Sequence, residues 1–355
     1  MGVIGSKTYA KLNDFQGIKT FTATKNVKKT ETVPLIRYVT SSSGIIFDQA
    51  LNKSEAAKPV TDKSIPRIVE AFFDDTGTNV IMRYLKDDNI ETYLATLTFP
   101  KIDQNLSAEE KMATPNIAEV TGDFLPEDIE TVALSRDKKN FFYMTPITGG
   151  VAGINYTFAK KIKKGLFETP LTEWIADFGS AQKINLTTKA SGVVAGYSYS
   201  LDSKTGELVK NIGNLNGLTT LLSPDSKKLF YSVYNTNVLS SFILDISTGI
   251  KKSVSPSVLA EKCVWTSDSK LLYCVSPVNN VNAVYPDDWY KGKISFDDAL
   301  WKIDASTMTG NIVYDFISKN NTRIDGINLS LDSSDNYLGF INKKDGNLWV
   351  FDLSK

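Results

Sequence analysis

Ser223-Pro224-Asp225-Ser226-Lys227-Lys228-Leu229-Phe230-Tyr231-Ser232-Val233-Tyr234 is a compact polar turn running into an aromatic, β-branched strand. Ser and Asp side chains bond back to the backbone in such turns, and ring-bearing and β-branched residues suit a pleated, half-buried surface. Working outward, Thr266-Ser267-Asp268-Ser269 precedes Leu271-Leu272-Tyr273-Cys274, with its aspartate 43 residues beyond Asp225. In the other direction, Asp137 of Ser135-Arg136-Asp137 lies 88 residues before Asp225, two periods of 44, and Phe141-Phe142-Tyr143-Met144 follows it. Gly179-Ser180-Ala181 falls halfway between. Asp75-Thr76-Gly77, followed by Val80-Ile81-Met82-Arg83-Tyr84, and Asp335 join the series once insertions at 99–114 and 277–297 are allowed. Asn26-Val27-Lys28-Lys29 is the weakest member, and it brings the turns to seven.

A second kind of hairpin recurs in step with the first. Leu201-Asp202-Ser203-Lys204-Thr205-Gly206 and Leu244-Asp245-Ile246-Ser247-Thr248-Gly249 have the same form, and Ile303-Asp304-Ala305-Ser306-Thr307 repeats it before Gly310. No long helix-period segment competes; the best, 107–112, is one short turn. A repeat of about 40–45 residues with four antiparallel strands is a propeller blade, which buries its faces only against neighbours. The expected fold is therefore all-β, a seven-bladed β-propeller of four-stranded blades in one domain, 1–355. The blades are placed at about 14–62, 63–122, 123–170, 171–213, 214–256, 257–317 and 318–355 plus 9–13. The last repeat ends on Leu348-Trp349-Val350-Phe351, so the extended Tyr9-Ala10-Lys11-Leu12 is expected to supply its fourth strand and remove the open edge. Six blades and two stacked sandwiches are the alternatives.

Composition narrows the chemistry. The 355 residues carry 40 Lys+Arg against 40 Asp+Glu, which leaves no basic field for a phosphate backbone and argues against nucleic acid. There is no histidine, which removes the Ser-His-Asp triad, the Cys-His dyad and His-built zinc sites. No apolar run is long enough to span a bilayer, and 1–7 is too short for a signal peptide. The chain is thus cytoplasmic, or extracytoplasmic if an export segment or anchor precedes Met1. Membrane contact is expected only through such an anchor.

The Ser223 run and the Asp-x-x-Thr-Gly hairpins resemble the repeats of TolB-like and WD40-like (PD40-type) bacterial propellers. Within 263–304, Cys263-Val264-Trp265, Leu272-Tyr273-Cys274, Tyr285-Pro286-Asp287-Asp288-Trp289-Tyr290 and Ser295-Phe296-Asp297-Asp298 resemble an uncharacterised group of bacterial membrane-anchored propellers. Ile65-Pro66-Arg67 and Arg83-Tyr84 add to the likeness, which spans nearly the whole chain. It implies a fold and an exported location but no activity, and no counterpart of the N-terminal domain usual in TolB is expected within these residues.

Cys263 and Cys274, the only cysteines, are symmetric about the turn between Asp268 and Ser269 and so face each other across one hairpin. At the Cα separation of roughly 4.5 Å of a non-hydrogen-bonded pair, a cross-strand disulfide is within reach. Two buried thiols in a cytosolic protein are the alternative. Two cysteines without histidine make no metal site.

The insertion between the second and third strands of blade six holds the candidate binding residues Tyr285, Asp287, Asp288, Trp289, Tyr290, Asp297 and Asp298. Aromatics beside carboxylates suit a sugar, peptide or protein partner; the alternative is a folded-over loop whose Trp is buried for stability. Neighbouring Asp pairs do not establish the carboxyl spacing of a glycosidase, and no calcium loop is present. The recurring Tyr38, Tyr84, Tyr143, Tyr231 and Tyr273 are expected to pack blade on blade, with Arg37 and Arg83 pairing acids between blades. The insertion around 101–114 and the Lys160-Lys161-Ile162-Lys163-Lys164 run are expected to be solvated, and the Asn-x-Ser/Thr sites carry little weight. The expected function is a non-enzymatic extracytoplasmic binding scaffold at a bacterial cell envelope. It would act as a monomer, with a protein or cell-wall glycan partner and no cofactor or metal. A carboxylate-based glycan hydrolase or lyase and a cytosolic WD40-like platform are the alternatives.

Overall fold

The computed structural model describes residues 6–9, 21–23, 31–51, 56–100, 117–180, 182–279 and 281–354. The chain is an all-β, seven-bladed β-propeller. Six sheets are four-stranded and antiparallel, and the first blade is a three-stranded sheet of Leu35–Val39, Ile46–Ala50 and Lys58–Pro59. A two-stranded hairpin, Phe21–Ala23 with Glu31–Val33, precedes that sheet; Pro34, which has no N–H for a ladder, separates the two. The turn expected at Asn26 lies outside the described residues, as does the helical turn expected at 107–112. The strand Ser6–Tyr9 pairs with Asn347–Asp352, through Ser6 on Leu348 and Tyr9 on Asn347, and completes the seventh sheet. The pairing strand thus begins before the segment expected from sequence, whose residues 10–12 are not described.

Turn chemistry explains why the repeat folds as it does. At the first position of the turn between the first two strands, Ser135, Ser180, Ser223 and Thr266 bury a hydroxyl, and Asp74 and Asp332 a carboxylate. Ser223 Oγ donates to Asp225 Oδ1 at 2.6 Å and accepts from the Lys228 N–H at 2.9 Å. Thr266 and Asp268 repeat this bond at 2.7 Å, and Ser135 and Asp137 at 2.6 Å. Each of these three turns then needs one left-handed residue, with φ of 59° at Ser226, 60° at Ser269 and 55° at Lys138. Asp202, Asp245 and Asp304 organise the other hairpins by accepting backbone N–H bonds two and three residues on.

Two compact units are distinguished. Met1–Glu127, with Asp332–Gly339 and Gly346–Lys355, holds the first two blades and the terminal strand pair; Asp128–Leu331, with Phe340–Asp345, holds blades three to six. In the first unit, Val39, Ile46, Phe73, Val80, Met82 and Leu97 form one core. In the second, the blade faces interleave around Phe142, Trp174 and Leu186, around Leu222 and Tyr231, and around Phe230, Trp265 and Leu272.

Tyr38, Tyr143, Tyr231 and Tyr273 are buried, while Tyr84 is half-buried and donates to Glu91 at 2.6 Å. The arginines correct an expectation. Arg37 faces Asp48 and Arg83 faces Glu70 on the neighbouring strand of the same blade. A directly opposite position in a ladder brings long side chains together more surely than a blade boundary does. Arg37 does reach the next blade, through a 2.7 Å bond to the Gly77 carbonyl.

Candidate functional site

Blade six pairs Cys263–Trp265 with Leu271–Pro277, and Cys263 lies opposite Cys274 in that ladder. The two sulfurs are bonded, with a Cα separation of 4.0 Å, and both residues are buried. The hairpin symmetry read from sequence therefore places a disulfide where the chain has one.

The insertion leaves the sheet after Pro277 and returns at Asp298, and these two residues pair across its base. A single helical turn, Asp287–Tyr290, stands at its centre. Asp288 Oδ2 accepts from the Val284 N–H at 2.9 Å and Oδ1 meets Lys293 at 3.0 Å. Those two contacts hold its carboxyl below the usual range. Asp287 reaches back to the loop of blade four, accepting from Ser191 Oγ at 3.0 Å and the Gly192 N–H at 2.6 Å. Asp297 pairs with Lys344 and, at 3.7 Å, with Arg323. The Tyr290 hydroxyl donates to Glu261, and burial with that acid pushes its pKa far up. Tyr285 donates to the Val281 carbonyl at 2.6 Å, and burial pushes its pKa up to about 12.

Trp289 and Asp298 lie inside. Trp289 is 4% exposed and stacks on Phe296, whose other neighbour is Tyr285. Beneath them Lys262 is sealed from solvent. Its ammonium meets Asp298 Oδ2, Asp325 Oδ1 and the Gly326 carbonyl, each at 2.8 Å, and lies 4.9 Å from the Trp289 ring and 5.0 Å from Phe296. Three donors and three acceptors leave no free proton on that nitrogen. Asp325 accepts from Trp289 Nε1 at 3.1 Å, Ser295 Oγ at 3.0 Å and the Phe296 N–H at 3.2 Å. Burial pushes the Asp325 carboxyl up, but Lys262, the Phe296 N–H and the Ser295 hydroxyl hold it below the ordinary value. Asp298 has fewer donors: the Gly326 N–H reaches Oδ2 at 2.8 Å and Oδ1 has no protein partner. Burial there outweighs Lys262, and the carboxyl rises to about 6.

Beside this core opens a cavity of about 230 Å³. Val238, Leu239, Val281, Tyr285 and Phe296 form its apolar wall; Asn237, Ser257 and Asn282 supply polar edges, and Lys262 lies at its inner side. No carboxylate lines it, and among the described residues no cluster of His, Cys, Asp and Glu could hold a metal ion.

Of the sequence-derived candidates, only Tyr285 lines the cavity. Asp287 and Asp297 fasten the insertion to its surroundings and Asp288 ties it internally, while Trp289 and Asp298 join the buried lysine cluster. Sequence reading missed Lys262, Asp325, Gly192 and Lys343, whose ammonium lies 4.3 Å from the Trp289 ring and donates to its carbonyl at 2.6 Å. One signal is their position: Lys262 and Asp325 each stand immediately before the first strand of a blade.

No family model matches the chain, and no curated protein matches it. Among solved structures it is similar to TolB from Acinetobacter baumannii, at 14% identity over 78% of this chain and 64% of that one, with a TM-score of 0.45. It is similar to the tricorn protease at 12% identity over 99% of this chain, with a TM-score of 0.57, but spans only 34% of that protein. A manganese-bound oligogalacturonate lyase matches at 10% identity over 90% of this chain and 86% of that one, with a TM-score of 0.56. The latter two are likenesses of fold.

Proposed function

We propose that this protein is a non-enzymatic binding propeller that works outside the cytoplasm at a bacterial cell envelope, as a monomer, with a protein or cell-wall glycan as partner. One observation carries the reading: each acid of the blade-six insertion is tied to a structural partner, and the recess they brace has no carboxylate on its wall. A hydrolase or lyase needs an acid or base within reach of a bound substrate. The buried Asp298, with its raised pKa, has the right protonation for such a role, but it lies behind Lys262 and does not line the recess. The Cys263–Cys274 disulfide supports an oxidising compartment.

The test has three arms. Rapid alkylation of the protein in its own cells, followed by intact mass, should find both cysteines protected until reductant is added. Incubation with cell-wall glycan should release no new reducing ends. A photo-crosslinker at Val194 should capture an envelope component that Val193→Asp no longer captures. Free thiols in the cell would overturn the location, and glycan cleavage would overturn the non-enzymatic role.

A further inference from the structure

Three loops joining second and third strands lie together: 189–194 of blade four, 236–237 of blade five and the blade-six insertion. Asp287 binds the first to the third, and a Cβ at Gly192 would lie 2.8 Å from the Tyr285 carbonyl oxygen and 3.0 Å from the Tyr234 ring. These loops expose aliphatic side chains: Val193 is 76% exposed, Val194 63%, Val238 57% and Val278 49%. Scattered apolar residues on a surface need no explanation, but these flank the recess: Val238 lines it, Val278 follows Pro277, which also lines it, and Val193 and Val194 follow Gly192, which packs on Tyr285.

Charge and ring geometry define what the recess accepts. All three protons of Lys262 are spent on Asp298, Asp325 and Gly326, so the cation offers nothing to an anion, and the two carboxylates behind it repel one. The ring faces are also taken. Tyr285 stacks on Phe296 at 6.0 Å, Phe296 on Trp289 at 5.9 Å, and Tyr234 packs on Tyr285 at 5.9 Å. A sugar ring therefore finds no open aromatic platform. At about 230 Å³ the recess is below the size of a typical drug-sized ligand site and suits a single side chain. Asn237, Asn282 and Ser257, which also line it, offer hydrogen-bonding groups to the amides flanking that side chain.

We propose that this recess and its valine rim form a peptide-docking site that takes one uncharged apolar side chain, leucine or phenylalanine in kind, from a protein partner. The proposal rests on the binding role above and chooses protein over glycan within it. A buried apolar anchor in a small pocket, ringed by weaker contacts, is how protein interfaces concentrate their affinity.

The test uses the full chain with labelled Ile, Leu and Val methyl groups, read by NMR. The probes are blocked heptapeptides, Gly-Ser-Gly-X-Gly-Ser-Gly, with X as Leu, Phe or Asp, together with chitotetraose. The Leu and Phe probes should shift the methyls of Val238, Leu239 and Val281, and the Asp probe should need at least tenfold more peptide for the same shift. Ser257→Trp, at an exposed position on the recess edge, should abolish the shifts while leaving distant methyls in place. Equal response to the Asp probe, no response at the recess, or a response that survives Ser257→Trp would overturn the proposal. Chitotetraose moving these methyls when the peptides do not would also overturn it, yet would leave the broader binding role standing.

Discussion

The Lys262 ammonium and the Asp325 carboxylate meet at 2.8 Å across 63 residues of sequence, with side chains 1% and 0% exposed. This pair, with Asp298 as a second acid, is the floor on which the blade-six insertion rests: Trp289, Ser295 and Phe296 all bond to Asp325. Buried charges are costly to strand, so removing one member of the cluster loosens the insertion that rests on it.

Replacing Lys262 with Met should therefore be severe. Two carboxylates would lose their counter-ion in a sealed site, at a cost of about 3–5 kcal/mol. Combining Lys262→Met with Asp298→Asn and Asp325→Asn should recover much of it, because the stranded charge is removed with its partner. Equilibrium urea unfolding of the two variants makes the comparison; equal losses would show that packing, not charge, is at stake.

Asp298 predicts a pH dependence. Burial, only partly opposed by Lys262, raises its carboxyl from 3.8 to about 6. A raised carboxyl pKa favours the folded state in acid, so this contribution is whole below about pH 4 and is lost as pH rises through 6. Asp325 has the opposite sign: its pKa is lowered, and its contribution is present above its unfolded value and lost in acid. Asp298→Asn should remove the first effect and keep the second. Its stability relative to the parent should therefore climb between pH 4 and 7, by up to about 3 kcal/mol at 1.36 per pKa unit. Unfolding curves at unit steps of pH measure the slope, and a flat difference would contradict a raised Asp298.

Reducing or deleting the disulfide should be felt across blade six. Cys263 and Cys274 are 11 apart in sequence, and closing so short a loop is worth about 2–3 kcal/mol in the chain-entropy account. Cys263→Ala with Cys274→Ala should lower the midpoint of denaturation accordingly without changing the circular dichroism of the folded sheet.

Gly192 is the contact point between the blade-four loop and the insertion. An added methyl would lie 2.8 Å from both the Tyr285 oxygen and Val284 Cγ1. Gly192→Ala should cost about 1–3 kcal/mol through overpacking. Hydrogen exchange should rise at 281–297 and remain unchanged in the first two blades; uniform exchange would show that the loop does not brace the insertion.

Much of the fold was legible because it is written locally. Ser223 with Asp225, Thr266 with Asp268 and Ser135 with Asp137 make their bonds within five residues, and their recurrence counted the blades. The Cys263–Cys274 pairing was legible for the same reason, since one turn sets the register of its two strands. The first blade was hardest to read: Pro34 divides its strand signal, and the turn at Asn26 lies outside the described residues. In the site, the place of the insertion is legible, but its residues suit both a binding surface and a folded-over loop, and the burial of Trp289 agrees with the second. Aromatics and acids in a loop have the same composition whether they face solvent or fold inward.

The sequence alone determined the period, the turn types, the strand register around each turn and the place where the repeat is interrupted. All of these follow from steric and hydrogen-bonding rules acting over a few residues. Only the tertiary structure decided that Lys262 lies beneath Trp289 and that Asp298 and Asp325 share its ammonium. Those pairings depend on how successive strands and blades rotate against one another, a sum of small twists that no spacing in the chain records.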